Sequence, residues 1–213
     1  MRDYSILQNG VSRSFPKGDA FLAGASDDAD ILILLGGSEG RSLDDTSKTA
    51  ILIELDTECL GVHTGEASGR EGSNVLGFAR YRNGNDAPTN LIELVRQPAS
   101  CQNAIDAAIV LFEAHGFQVV VCADQPGRII DRLVRPKYNA ALRFLDEGLA
   151  SAEAMDMTCR MGLGYPDGPI ERVERGDLAR HYDVSRSIYE MTGHPSYMPA
   201  RRAVVAKARE DKQ

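Results

Sequence analysis

Two hydrophobic patterns divide the chain. Between residues 31 and 122 apolar residues come in short unbroken runs, and from 127 onward they recur every three or four positions. The run ILILL (31–35), stopped by Gly36 and Gly37, fits a strand buried on both faces, and AILIEL (50–55) repeats it. Residues 75–79, 90–96 and 118–122 are three further strand candidates. The segment between the first two runs has little apolar periodicity, leaving room for a turn or two of helix, not a full crossover. In QNAIDAAIVLFEAH (102–115), Ile105, Ala108, Ile109 and Phe112 form one stripe, which predicts a helix capped by Ser100 and ended by Gly116. A helix joining two strands makes this part α/β. Residues 1–30 hold two short apolar runs, 4–7 and 21–23, in polar sequence and predict a hairpin or an arm.

The second pattern is helical. Ile130, Val134, Tyr138, Ala141 and Leu145 place one stripe along 127–147, with Pro136 inside and a kink expected there. Gly148 ends that helix. Ser151 caps the next, which stops at Gly162 and Gly164. Pro169 suits the first turn of another, where its missing N–H costs nothing. Further helices are expected over 177–191 and 199–210. The predicted division is an α/β domain over 1–123 and a helical domain over 124–213.

Charge refines this division. The protein has 213 residues and a net charge of −7. Residues 1–126 hold 18 acidic and 9 basic residues, and 127–213 hold 13 and 15. Neither part has the concentrated basic face that nucleic-acid binding needs, and the acidic first part disfavours a polyphosphate. No run of 18 apolar residues suggests a membrane span, and residues 1–15 lack a signal-peptide core, so a cytoplasmic protein is expected. Cys59, Cys101, Cys122 and Cys159 have no CxxC spacing and read as free thiols, with no metal site expected.

Three motifs then point to a family. "LIELVRQP" (91–98), "DQPGRIIDRLVRP" (124–136) and "RMGLGYPDGPIE" (160–171) resemble the V-E-V-x-x-x-P, D-x-P-G-F-x-x-N-R-x-x-x-P and P-x-G-P-F-E motifs of the 3-hydroxyacyl-CoA dehydrogenases. The chain also resembles the degenerate second module of two-module dehydrogenases of aromatic-acid breakdown. The resemblance implies a Rossmann-like sheet, here truncated. It is followed by an all-α domain of 6-phosphogluconate and hydroxyacyl-CoA dehydrogenase type, which forms homodimers. It makes 31–35 the fourth strand of the sheet, and it implies NAD as cofactor and catalysis by a His–Glu pair with Ser and Asn.

Carried over residue by residue, the family Glu falls on Glu93, the His position on Ala79, the Ser position near Glu58 or Cys59, and the Asn position on Asp131. Alanine cannot take a hydroxyl proton, a role worth ~10²–10⁴-fold in rate. A dinucleotide needs G-x-G-x-x-G in the first strand–helix turn, and none is present. Gly36, Gly37 and Gly40 follow a strand with the wrong spacing and read as a shortened connection, so no cofactor-binding residue is assigned. His63 is the imidazole nearest in sequence to replace the lost one. His115, His181 and His194 have no metal-type spacing. Glu93 also has a structural reading, a strand carboxylate paired with Arg80, Arg82 or Arg132; Asp131 likewise fits helical pairs with Arg128, Arg132 or Arg135.

Three readings of function stay open. The first is a family member without independent NAD-dependent activity, binding acyl-CoA or partnering a full-length dehydrogenase, with no cofactor. The second is an active 3-hydroxyacyl-CoA dehydrogenase using NAD, through a cryptic site or completed by another chain. The third is a different ligand or reaction in the interdomain cleft. Whether the chain is an enzyme is left open by the sequence.

Overall fold

The computed structural model describes residues 3–37, 43, 45–65 and 71–213. By its contacts the chain parts into two compact units, one of residues 1–82 and 88–128, the other of 83–87 and 129–213.

The first unit is a six-stranded sheet. Its strands β1 (Tyr4–Gln8), β2 (Ile31–Leu35), β3 (Ala50–Glu54), β4 (Val75–Arg80), β5 (Leu91–Arg96) and β6 (Gln118–Ala123) lie side by side in chain order. β1 to β4 are parallel; β5 runs antiparallel to β4 and parallel to β6. Helix α1 (Ala20–Ala23) lies between β1 and β2, α2 (Gly61–Thr64) between β3 and β4, and α3 (Gln102–Ala114) between β5 and β6. The central strands are unbroken apolar runs because both faces are covered. Ile31, Ile33, Leu52, Phe78 and Leu94 meet Phe15, Phe21 and α3 on one face. Leu34, Ile51, Ile53, Val75 and Val95 meet Leu43, Leu55 and Leu60 on the other.

Residues 1–30 correct the expectation of a hairpin or arm. Residues 4–8 form a parallel strand at the sheet edge, paired Tyr4 to Ile31 through Gln8 to Leu35. Five residues whose last two are exposed carry too little pattern to be read alone; what fixes them is Tyr4 stacking on Phe21 at 4.5 Å. The cap of α3 also differs. Cys101 stands at the N-cap without a side-chain bond, and Ser100 Oγ accepts from the Gln97 amide at 3.0 Å instead.

The second unit is helical: α4 (Ile129–Asp146), α5 (Ala152–Leu163), α6 (Pro169–Arg175), α7 (Leu178–Thr192) and α8 (Arg201–Glu210), with a 3-10 turn at Pro195–Tyr197. Its core joins Tyr138, Ala141 and Leu142 to Ile170, Val173 and Ala200. α4 runs on through Pro136. A proline cannot donate to the carbonyl four residues back. That carbonyl, of Arg132, accepts instead from the Tyr197 hydroxyl at 3.2 Å. Ser151 caps α5, accepting from the Ala154 amide at 3.2 Å, and Gly164 ends it in the left-handed conformation. Among the described residues no helix is long and apolar enough to cross a membrane.

Candidate functional site

The positions carried over from the family fall into both units. In the sheet unit, Ala79 of β4 and Glu93 of β5 are cross-strand partners in the antiparallel register. Directly opposed residues project from the same face, so a methyl group stands beside the Glu93 carboxyl. Both are buried, Glu93 to 2% exposure and Ala79 to 9%. They share the face of Val75 and Val95.

Arg80 is not the partner of Glu93. Side chains alternate along a strand, so Arg80 leaves on the opposite face. There its guanidinium bonds Asp19 Oδ2 at 2.6 Å and the Ser14 carbonyl at 3.2 Å. It also lies over the Phe117 ring at 4.8 Å.

The segment carrying Glu58 is held by the motif at 124–128. Asp124 accepts from the Leu60 and Gly61 amides at 2.7 and 2.8 Å, capping α2. The Gly127 amide bonds the Thr57 carbonyl at 2.7 Å. Arg128, 4% exposed, gives Nη2 to the carbonyls of Glu58 and Gln125 at 2.9 and 2.8 Å. These bonds explain why 124–128, expected to open the helical domain, fold with the sheet. Glu58 accepts from the Asp56 amide at 3.1 Å and stands 3.5 Å from His63 Nε2. Burial opposes its ionisation, but the His63 ring and the amides of Glu58 and Asp56 outweigh it and hold the carboxyl below the ordinary glutamate range. Burial pushes the neighbouring Cys122 thiol up; Arg128 opposes this, while Glu93 and Asp124 add to it. Cys122 is thus kept as the thiol, a poor nucleophile. All four cysteines are free, and among the described residues no group of His, Cys, Asp and Glu is placed to hold a metal.

Asp131 lies in the helical unit, in a buried chain of bonds. Its Oδ1 accepts from Arg135 Nε and Nη2 at 2.9 and 2.6 Å. Arg135 Nη1 reaches His181 Nδ1 at 3.3 Å, and His181 Nε2 meets Asn139 Oδ1 at 3.0 Å. Asn139 then donates to the Ser196 carbonyl and accepts from the Ala200 amide. An arginine cannot accept, so Nδ1 accepts and Nε2 carries the proton. Burial, and then the Arg135 charge, push the His181 pKa down to about 3. The expected helical pairing of Asp131 is therefore present with Arg135, and its burial makes the loss of either partner costly.

The third motif is also structural. Asp156 on α5, 5% exposed, accepts from the Ile170 and Glu171 amides at 2.8 and 3.0 Å and caps α6. A Cβ on Gly168 would stand 2.1–2.2 Å from that carboxylate, so only glycine fits there. His115 bonds the Leu111 carbonyl at 2.9 Å, and His194 accepts from the Ser196 amide at 3.3 Å. Gly36 and Gly37 have φ of 68° and 112°, and Gly40 lies outside the described residues. Asp124 and Asp156 were not foreseen as site-shaping residues, although both lie in or beside the quoted motifs.

Residues 127–212 match the 3-hydroxyacyl-CoA dehydrogenase C-terminal domain. The human mitochondrial hydroxyacyl-coenzyme A dehydrogenase is 34% identical over 111 residues, which are 52% of this chain and 35% of that protein. Residues 127–212 are thus similar to the C-terminal domain of the 3-hydroxyacyl-CoA dehydrogenases. The 3-hydroxyadipyl-CoA dehydrogenase of Escherichia coli is 38% identical over 106 residues, 49% of this chain and 22% of that protein. The matches thus span 35% or less of these relatives. A crystal structure of (S)-3-hydroxybutyryl-CoA dehydrogenase from Ralstonia eutropha superposes with a TM-score of 0.72 at 21% identity, covering 85% of this chain and 66% of that one. That likeness establishes the fold: a mostly parallel sheet followed by the helical domain of hydroxyacyl-CoA dehydrogenases. Within this fold, the cross-strand neighbour of Glu93 is an alanine.

Proposed function

We propose that this chain is a dehydrogenase-like binding or partner subunit of acyl-CoA metabolism that does not itself oxidise 3-hydroxyacyl-CoA with NAD. The observation that supports this most is Ala79 opposite Glu93. Removing hydride from a hydroxyl carbon requires a base at the hydroxyl proton. At this position the chain offers a methyl group beside a carboxyl whose imidazole is gone. Acyl-CoA is the ligand class named by the relatives, and it is assigned here as a proposal.

The test follows absorbance of NADH with purified protein, NAD and 3-hydroxybutyryl-CoA or longer 3-hydroxyacyl thioesters, alone and beside a full-length hydroxyacyl-CoA dehydrogenase. No NADH is expected from the chain alone. Turnover by the chain alone that disappears in Glu93→Gln would replace this reading with that of an active dehydrogenase. A second reading, a different reaction, has one observation in its favour: the Glu58–His63 pair is a carboxylate and an imidazole at 3.5 Å in the same unit.

Homodimerisation through the helical unit is part of the proposal. Val184 and Ile188 are buried within the unit and offer no contact face. Leu133, Phe144, Leu149, Met157 and Met161 are exposed, Met161 to 82%. A groove of about 440 Å³ lies between α4 and α5, lined by Phe144, Leu149 and Met155. Exposed apolar area of this kind is a common mark of an interface. Sedimentation equilibrium is expected to give a dimer in the wild type and a shift to monomer in Leu149→Asp; a wild-type monomer would refute it.

A further inference from the structure

The sheet unit has a second polar centre, on the opposite face from Glu93. The connection after β1 carries Phe15 and Phe21 into the core cluster on the α3 face, whereas Leu43, between β2 and β3, joins the cluster on the other face. Neighbouring parallel strands whose connections diverge to opposite faces open a crevice at their carboxyl ends, and α/β sheets bind their ligands there. In this chain that crevice is filled. A Cβ on Gly36 would lie 2.7–2.8 Å from the backbone of Gly10, so the two connections touch backbone to backbone. Beside that contact stands the carboxylate of Glu54, the last residue of β3. Its Oε1 accepts from Ser12 Oγ at 2.9 Å and the Ser14 amide at 2.8 Å, and its Oε2 from the Gly36 amide at 2.9 Å.

The donors themselves are fixed. Ser12 and Ser14 are 1% and 2% exposed. Ser12 Oγ accepts from the Phe15 amide at 2.9 Å, and Ser14 Oγ from the Arg80 amide at 3.2 Å. Backbone amides and a hydroxyl after the first strand are the groups a glycine-rich turn offers to a pyrophosphate. Here they hold a carboxylate by charge-assisted bonds. The helix that follows, α1, has four residues, and Asp19 already accepts from the Phe21 amide at its start. A pyrophosphate entering would meet Glu54 as a like charge and find no free helix N-terminus.

We infer that Glu54 is a built-in anion occupying the place a dinucleotide pyrophosphate needs, so that this crevice holds the chain's own carboxylate and excludes NAD. The inference deepens the proposed lack of independent turnover, yet the two fail separately.

The test combines titration of NADH fluorescence with thermal melting in inorganic pyrophosphate, for wild type, Glu54→Ala and Glu54→Gln. Wild type is expected to show no saturable NADH binding and a melting temperature that pyrophosphate leaves unchanged. Glu54→Ala is expected to melt about 5 °C lower, as unpaired buried donors cost stability, and to regain most of that loss in millimolar pyrophosphate. Saturable NADH binding by wild type, an equal pyrophosphate shift in wild type, or an unchanged melting temperature in Glu54→Ala would each overturn it. If Glu54→Ala does not fold, Glu54→Gln, which keeps the shape without the charge, is read by the same melting shifts. NADH bound without turnover sinks this inference alone. Turnover of NAD by the purified chain sinks both, whereas no NADH binding together with no binding of acyl-CoA or of a full-length dehydrogenase sinks the proposed function alone.

Discussion

The helical unit and the sheet unit use their buried polar residues in different ways. In the helical unit they close on one another: Asp131 on Arg135, Arg135 on His181, His181 on Asn139, and Asp156 on the first amides of α6. In the sheet unit Glu93 faces Ala79 across two strands. Glu54, at the end of β3, ties three chain segments together instead. The residues of the motifs at 124–136 and 160–171 hold helices and loops in place. On the proposed reading the position that only chemistry requires, the imidazole, is the one replaced.

The largest expected effect is in the helical network. Asp131→Ala leaves the Arg135 charge buried without its partner, whose side chain is 12% exposed, and is expected to cost ~3 kcal/mol by urea denaturation. Asp131→Asn, the family residue, is expected to destabilise as well, because it removes the charge that Arg135 needs; a gain in stability would break the comparison. Next is pH. An unfolded imidazole titrates near ~6.5, and His181 is pushed down to about 3 by burial and the Arg135 charge. Between those values the unfolded chain binds the extra proton, so stability rises with pH and is lost as pH falls from 6.5 toward 3. Acidification to pH 5 is expected to cost at most ~2 kcal/mol through this residue, and urea melts of His181→Gln should show a flatter pH dependence. Tyr197→Phe leaves the Arg132 carbonyl freed by Pro136 without its donor and is expected to cost ~1 kcal/mol in the same assay. The smallest effect is expected in the sheet unit. Ala79→His restores an imidazole opposite Glu93, yet no NADH is expected from 3-hydroxyacyl-CoA, since the crevice after β1 stays filled. Measurable turnover by that variant would remove the contrast between the units.

Much of the fold was legible because its signals are local. The stripe of Tyr138, Ala141 and Leu145, the cap at Ser151 and the stop at Gly164 all act within a few residues of themselves. The runs 31–35 and 50–55 read as strands buried on two faces for the same reason. The first strand was not legible, since five residues gain their meaning only from Ile31–Leu35 beside them and Phe21 beneath them. Of the site, the opposition of Ala79 and Glu93 followed from the motif comparison and was fixed by strand register. Glu54 was missed because it looked like the polar end of an apolar run. Its three donors come from residues 12, 14 and 36, and no spacing rule connects them to residue 54.

By itself the sequence determined the two patterns, most of the helices and the family resemblance, because each is written in neighbouring residues or in a contiguous motif. The tertiary structure alone decided which polar groups meet. Asp131 became a structural anion, Asp124 a cap and Glu54 the occupant of the crevice through contacts between segments far apart in the chain. Such contacts depend on how the elements pack, and periodicity along the chain does not encode which distant donor a buried carboxylate will find.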